Sequence, residues 1–399
     1  MTDYCAGHQL QLLEGAREFF ASLIADVERA AKEVRIETYI FDFAGSGARV
    51  AQALCDAAQR GVAVFLVVDG VGTPKLPTPW AAQLTAAGVQ WEVFSPLGRW
   101  GLLVPSRWRR LHRKLCVVDG QVAYCGGINV LDDWIDANHG PLNAPRFDFA
   151  VRVVGPLVRT VHAAMAQFWW RLRAVRKAQQ VDLAGAWAAL QEVVYEGRLP
   201  TPPQLQGAGA RAALVLRDNV LNRRRIERNY LRAIADAQQD ILLANAYFLP
   251  GRRMRRALIL AAQRGVQVRL LLQGRYEYFM QYHATRALYR PLLAAGVDIF
   301  EYKVSFLHAK VAVIDQFWAT VGSSNIDPLS LLLAREANVV VHDAGFAGLL
   351  HGKLEQTIAT SADKVDFLKH TQRPLMQKLI DQLALLLMRG LLLLNGKRY

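Results

Sequence analysis

The stretch Leu307–Gln316, LHAKVAVIDQ, has a near-copy in Leu111–Gly120, LHRKLCVVDG. Each copy sets a His, a Lys two residues on and an Asp five residues beyond the Lys into an alternating apolar background that reads as a buried strand. The extensions match as well. Gly126-Gly127-Ile128-Asn129 follows the first copy and Gly322-Ser323-Ser324-Asn325 the second, each Asn seventeen residues after its His. Further on, Asp148 in Phe147-Asp148-Phe149 and Glu336 in Arg335-Glu336-Ala337 hold matching places at the start of an apolar strand.

The duplication extends on either side of the motif. Ala57–Gly61, AAQRG, recurs letter for letter as Ala261–Gly265, each followed by an apolar strand that ends at Gly70 or Gly274, and Ala86-Ala87-Gly88-Val89 recurs as Ala294-Ala295-Gly296-Val297. Helical spacing over Gly15–Lys32 gives way to a strand-like run over Val34–Phe43, and Arg225–Gln238 gives way in the same manner to Ile241–Phe248. Helices alternating with strands predict an α/β fold with a mixed, mostly parallel sheet flanked by helices in each copy. The expected organisation is a first repeat over 1–170, a linker over 171–210 rich in Ala, Gln and Arg and broken by Pro200, Pro202 and Pro203, a second repeat over 211–370, and an apolar tail over 371–399.

Composition narrows the partners. Lys and Arg number 48 against 34 Asp and Glu in 399 residues, and the net charge of +14 favours a phosphate-rich partner, either nucleic acid or an anionic membrane. No apolar run reaches the roughly 18–20 residues that cross a bilayer. The start of the chain lacks the pattern of a secretory signal peptide, so a cytosol-facing protein is expected, with Cys5, Cys55, Cys116 and Cys125 reduced and without metal-ligand spacing. Two stretches suit a lipid interface: Gly98–Arg110, where Trp and Arg interleave with Leu102, Leu103 and Val104, and Leu375–Tyr399, strongly apolar but interrupted by Asp381, Arg389 and Gly390. A solvated loop and a core helix are the plainer readings of the two.

His and Lys at i and i+2 of a strand share a face, so each motif presents an imidazole beside an ammonium. The small residues of the following turn let backbone approach a ligand, and the Asn amide adds a neutral donor. Two such sets facing one another surround a single anion. That is a phosphate site, with His112, Lys114, Asp119, His308, Lys310 and Asp315 as its catalytic candidates and Asn129, Asn325, Lys114 and Lys310 as phosphate ligands. Asp119 and Asp315 fit a structural role better, because five residues beyond the Lys is too far along a strand to reach the same phosphate.

The paired H-x-K-x4-D motifs with their Gly/Ser-Asn turns resemble the phospholipase D superfamily. Within it the chain is similar to bacterial cardiolipin synthases of type B, on the strength of Arg217-Asp218-Asn219, Asn245-Ala246-Tyr247-Phe248, the LHAK motif and Ala319–Ser330, over most of residues 8 to 345. The resemblance implies two repeats packed about a pseudo-twofold axis, and a two-step phosphatidyl transfer that uses no metal or other cofactor. His112 would be the nucleophile and His308 the general acid and base, with Asp148 and Glu336 each orienting the His of its own motif. Phosphatidylglycerol is the implied substrate, with phosphatidylethanolamine as an alternative co-substrate, and nucleic acid is disfavoured. The expected location is peripheral, on the cytoplasmic side of a bacterial inner membrane. Rival readings are a phospholipid hydrolase and a basic nuclease of the same superfamily. A membrane-binding protein without activity is also conceivable, but such a chain would not be expected to retain both His, both Lys and both Asn.

Overall fold

The computed structural model describes residues 3–98, 105–136, 139–195, 209–218, 222–327 and 334–394. Strand β1 (Cys5–Glu14) is followed by β2 (Glu33–Thr38), β3 (Ala63–Asp69) and β4 (Gln90–Phe94), with the helices Gly15–Glu28, Gly45–Gln59 and Thr78–Ala87 between them. The short β5 (Arg110–Leu111) leads into β6 (Lys114–Val118) and β7 (Val122–Gly126). A small hairpin of β8 (Ile135–Asp136) and β9 (Gly140–Pro141) precedes β10 (Phe149–Val154). The second half repeats the order as β11 (Ala210–Arg217), β12 (Asp240–Asn245), β13 (Gln267–Gln273), β14 (Asp298–Tyr302), β15 (Lys310–Ile314), β16 (Trp318–Gly322) and β17 (Ala334–His342), with β18 (Ala362–Lys364) added at the outer edge.

Both halves belong to one sheet. Read outward from its middle, one side runs β1-β10-β7-β6-β2-β3-β4 and the other β11-β17-β16-β15-β12-β13-β14, the same succession of equivalent strands. The seam is the antiparallel pair β1–β11, with Cys5 opposite Ala212 and His8 opposite Ala210. A pseudo-twofold relation between the repeats follows directly from this order.

The sheet is mixed, but the expectation that each repeat is mostly parallel needs correction. Within each repeat only β2–β3–β4 and β12–β13–β14, the strands joined through helices, pair in parallel among the described residues, and the short β5–β17 parallel pair joins the two repeats. Strands β6, β7, β10 and β1, and their counterparts, are antiparallel. The reason is local: Asp119 and Gly120 adopt φ of 51° and 65° between β6 and β7, and Asp315 and Gln316 adopt 51° and 48° between β15 and β16. Turns so tight join antiparallel neighbours, whereas parallel strands need a crossover of a dozen or more residues.

Burial follows the duplication. One apolar cluster in each half packs helices onto the outer strands, among them Phe20, Leu54 and Leu66 in the first and Ile234, Leu258 and Leu270 in the second. A third cluster is shared, combining Val117, Phe149 and Val151 of the first repeat with Val311, Val321 and Val339 of the second. The sheet bends so that β7 and β10 lie against β16 and β17, which brings the two motif regions together. The segment expected as a linker is helical over Leu157–Gln179 and Leu183–Tyr195, and Pro200, Pro202 and Pro203 lie outside the described residues. The tail is the helix Leu375–Leu394, anchored by Ala384, Leu385 and Met388 on Ala284 and Leu288. Of the aromatic and basic stretch Gly98–Arg110, residues 99–104 lie outside the described residues.

Candidate active site

The alternation that reads as one strand is broken at the His. Lys114 and Lys310 are the first residues of β6 and β15, and each His sits two residues earlier in an extended segment that pairs with the other repeat. Strand β5 runs parallel to the start of β17, with Leu111 opposite Arg335, and the His112 N–H donates to the Arg335 carbonyl at 3.0 Å. The second half mirrors this through a parallel bridge between Leu307 and Phe147, and the His308 N–H donates to the Phe147 carbonyl at 2.9 Å.

This exchange decides which carboxylate meets which imidazole. His112 Nδ1 donates to Glu336 Oε2 at 3.1 Å, and His308 Nδ1 donates to Asp148 Oδ2 at 2.6 Å. The expectation that each carboxylate serves the His of its own motif is therefore corrected: Asp148 and Glu336 each hold the imidazole of the opposite repeat. Glu336 and Asp148 stand one residue beyond Arg335 and Phe147, the very residues whose carbonyls receive the His backbone N–H groups. An ionised carboxylate only accepts, so each Nδ1 carries the proton and each Nε2 keeps its lone pair.

Both lysines are buried. Lys114 Nζ donates to the His112 carbonyl at 2.8 Å, and Lys310 Nζ donates to the His308 carbonyl. Burial, reinforced by the neighbouring Lys310, pushes the Lys114 ammonium down to about 7; burial pushes Lys310 down to about 8 against the pull of Asp148 and Glu336. His308 falls well below its ordinary value through burial and the cations of Lys310, Lys114 and Arg146, and His112 is lowered by burial despite Glu336. The two carboxylates part company. Burial raises Asp148 to about 6, whereas at Glu336 the His112 imidazole, its hydrogen bond and Lys114 outweigh burial and hold the carboxyl below its ordinary range.

Cations dominate this pocket, so a bound phosphate is expected to draw protons in. An anion favours the protonated lysines and imidazoles, and Lys114 is only partly protonated above about pH 7. Inorganic phosphate titrated at about pH 7.5 in buffers of different ionisation enthalpy should take up roughly 0.5–1 proton per site. Proton release on binding would contradict the ordering of these groups.

The remaining candidates fall in different places. Asn129 Oδ1 accepts the Ile40 N–H at 3.2 Å, which leaves its amide hydrogens to donate elsewhere. Asn325 is buried, and its side-chain Oδ1 has no partner among the described residues. Asp119 and Asp315 lie at the far ends of β6 and β15, and their listing among catalytic candidates is corrected. Asp119 accepts the N–H groups of Ala31, Lys32 and Glu33 at 2.8–2.9 Å, and Asp315 those of Gln238, Gln239 and Asp240 at the same distances. Each ties the hairpin turn to the segment that opens the next strand. Asp119→Ala should cost about 2–3 kcal/mol of stability through three lost charge-assisted bonds, with kcat of the folded fraction unchanged in thermal-melt and activity measurements made side by side.

Several residues of the site escaped sequence reasoning. The Tyr39 ring lies 5.1 Å from the His112 ring, and Lys114 Nζ stands 5.7 Å from the Tyr39 centroid. Ser323 donates from its hydroxyl to Glu336, while Gly127 holds the matching place beside Asp148, where an added Cβ would fall 2.3 Å from Oδ1. Asp69 accepts the Leu111 N–H at 2.7 Å, and Gln273 Oε1 accepts the Leu307 N–H at 3.2 Å, so each repeat braces its His segment from the end of its second parallel strand. A signal for that pair existed: both residues directly precede Gly70 and Gly274, the glycines that close the duplicated strands.

Comparison with known proteins identifies the family. A family model described as cardiolipin synthase, PLD-like domain, matches residues 23–140 and again 230–358. Cardiolipin synthase B of Shigella flexneri is 36% identical over 369 residues, covering 90% of this chain and 83% of that protein. Cardiolipin synthase of Geobacillus kaustophilus is 29% identical over 385 residues, covering 95% of this chain and 72% of that protein. Among solved structures, phosphatidylserine synthase of Haemophilus influenzae Rd KW20 shares the fold, with a TM-score of 0.68 over 99% of this chain and 95% of that one at 11% identity. Two family matches on the two halves, each carrying one His–Lys set, establish that the chain belongs to the PLD-like cardiolipin synthase family and is a phosphatidyltransferase.

Proposed function

We propose that the chain transfers a phosphatidyl group from one phosphatidylglycerol to the hydroxyl of another, giving cardiolipin and glycerol through a phosphatidyl-histidine. The observation that carries this reading is the crossed pairing of His112 with Glu336 and His308 with Asp148, which leaves two Nε2 atoms free beside two lysines. His112 Nε2 attacks phosphorus while His308, protonated, gives its proton to the departing glycerol oxygen. His308, now neutral, accepts the proton of the incoming hydroxyl as its oxygen attacks phosphorus and His112 departs. One phosphodiester is lost and one is made, so no activated donor enters the balance. Lys114, Lys310, Asn129 and Asn325 stabilise the charge on the non-bridging oxygens.

Resting His308 is neutral, because burial and then its cationic surroundings lower its proton affinity well below the ordinary imidazole value. The phosphodiester anion offsets that field, so the substrate itself prepares the acid for the first step. Phosphatidylglycerol with and without phosphatidylethanolamine, incubated with the purified chain and resolved by mass spectrometry, tests the reading. Cardiolipin in the first mixture supports it. Phosphatidic acid alone in both would replace transfer by hydrolysis, and cleavage of DNA without lipid products would replace it by a nuclease.

The same reading places the chain peripherally on the cytoplasmic side of a bacterial inner membrane. None of its described helices is long and apolar enough to cross a membrane. The helix Leu375–Leu394 instead buries one face and exposes Leu379, Leu383, Leu386 and Leu387, each more than half accessible. Basic residues accompany it, with burial and then the neighbouring Arg389 and Arg252 lowering Arg255. An amphipathic helix of this kind beds in the headgroup zone of anionic lipid. The triple change Leu379→Glu, Leu383→Glu and Leu386→Glu should weaken binding to phosphatidylglycerol vesicles at least about tenfold while leaving the melting temperature in place, since none of the three is buried. Unchanged sedimentation with vesicles would remove this helix from the interface.

A further inference from the structure

Behind the reacting groups, on the other side of the strands that carry them, lies a cavity of about 790 Å³ between the helix Leu157–Gln179, the end of β4 and the start of β17. Its lining includes Arg107, Arg109, Arg113, Arg171, Arg176, Arg217 and Arg335, against the single carboxylate of Asp218. Phe168, Leu172, Val175 and Leu216 supply an apolar wall beside them.

Part of this charge is already compensated. Arg113 is paired with Glu37 through Nε and Nη2, and Arg176 is paired with Glu92. Arg109, Arg171 and Arg335 make no carboxylate ion pair among the described residues, although Glu37 and Asp218 act on Arg335 from farther off. Arg335 stands with its guanidinium 4.9 Å from the centre of the Phe168 ring, and its buried Nε has no hydrogen-bond partner among the described residues. Burial and the nearby Arg113 depress this guanidinium to about 10, against the opposing pull of Glu37 and Asp218.

The pseudo-twofold relation provides an internal control. Arg113 stands between His112 and Lys114 as Ala309 stands between His308 and Lys310, and Arg335 precedes Glu336 as Phe147 precedes Asp148. Glu37, opposite Leu115, corresponds to Ala244, opposite Val311. Ala309, Phe147 and Ala244 all belong to the shared apolar core. The fold therefore completes the same place without any charge. The cavity at the pseudo-symmetry-related place, about 1010 Å³ between the helix Ala344–Ser361 and the first repeat, mixes signs far more evenly, with Glu14, Glu18 and Asp133 set against Arg17, Arg146 and Lys353.

We propose that the arginine-lined cavity of the first repeat is a second binding site for a phosphate-bearing ligand, separate from the reacting phosphodiester. The chemistry that fits is a phosphate monoester or diester held by Arg109, Arg171 and Arg335, with an apolar chain along Phe168, Leu172 and Val175. The volume lies in the range of ordinary small-molecule pockets. An occupant sits one residue away from both His112 and Glu336, because Arg335 directly precedes Glu336 and receives the His112 N–H on its carbonyl. The phospholipid reading of the active site enters only through the choice of probe.

Calorimetric titration of the full chain carrying His112→Ala, so that nothing turns over, with monomeric dihexanoyl phosphatidylglycerol should detect two sites. Adding Arg171→Gln and Arg335→Gln should weaken one of them at least about tenfold and leave the other. Competition by inorganic phosphate separates the two sources of the ligand: full displacement from the arginine-dependent site assigns it to free phosphate, and persistence of the lipid assigns it to a headgroup with its chain. One site in the parent chain, or two sites unaffected by the arginine changes, overturns the proposal. If the Arg335 variant melts early, Arg109→Gln with Arg171→Gln, both on exposed residues, decides by the same criterion. Failure of the chain to make cardiolipin would leave an arginine-dependent site standing, so the two readings fail separately.

Discussion

Chains carrying His112→Ala are expected to lose product formation by at least about 10⁴-fold, and His308→Ala by a comparable factor, with the double variant no worse than either alone. The lack of additivity is the informative part. Groups that act on one bond in one step fail together, and His112 and Lys114 lie close enough to His308 to act on its charge. On the proposed mechanism, what separates the two is where the phosphatidyl group would rest. Without His308 the leaving glycerol is not protonated efficiently and the incoming hydroxyl is not deprotonated, so a labelled lipid should accumulate slowly on a peptide containing His112. Mass spectrometry of the quenched protein reads this directly. A label on His308 in the His112→Ala chain would reverse the two roles.

Much of this was legible in the residues, for identifiable reasons. The candidate site announced itself because His112, Lys114 and Asn129 recur as His308, Lys310 and Asn325 at equal spacing, a pattern that local strand geometry explains. The structural role of Asp119 and Asp315 was legible from reach alone, since a rise of about 3.3 Å per residue carries the Asp some 16 Å past the Lys. The antiparallel character of β6, β7 and β10 was also present in the turn Asp119-Gly120, but it was overshadowed by the helix–strand alternation of residues 15–94. The crossed pairing was not legible. Strand periodicity says which face a residue occupies, and it cannot say that β5 will pair with β17, because that contact forms only once the sheet has bent to close the two halves. The arginine cavity was hidden for a related reason. Arg113 and Arg335 are far apart in the chain and meet only through the same closure, and the contrast with Ala309 and Phe147 has meaning only when the two halves are superposed in the mind as equivalent places.

The crossed pairing makes the second large prediction. Glu336 lies in the second repeat but holds the His of the first, so Glu336→Ala should disable His112, and Asp148→Ala should disable His308, each with a loss of about 10²- to 10⁴-fold in turnover. Without its carboxylate an imidazole loses the acceptor that keeps the proton on Nδ1, and the tautomer with a blocked Nε2 becomes accessible. Burial makes this worse for Glu336, whose Oε2 receives both His112 and the Ser323 hydroxyl. The labelled lipid again tells the two apart. In the Glu336→Ala chain no label should form, because the nucleophile itself is misaligned, whereas the Asp148→Ala chain should form label on His112 and fail to discharge it. Gln at position 336, which keeps an acceptor oxygen, should recover part of the activity lost in the Ala variant, as a purely structural role for the carboxylate would not require. The opposite pattern, with label retained in Glu336→Ala and absent in Asp148→Ala, would mean that each carboxylate governs the chemistry of its own repeat after all, despite the 3.1 Å and 2.6 Å contacts that cross between them.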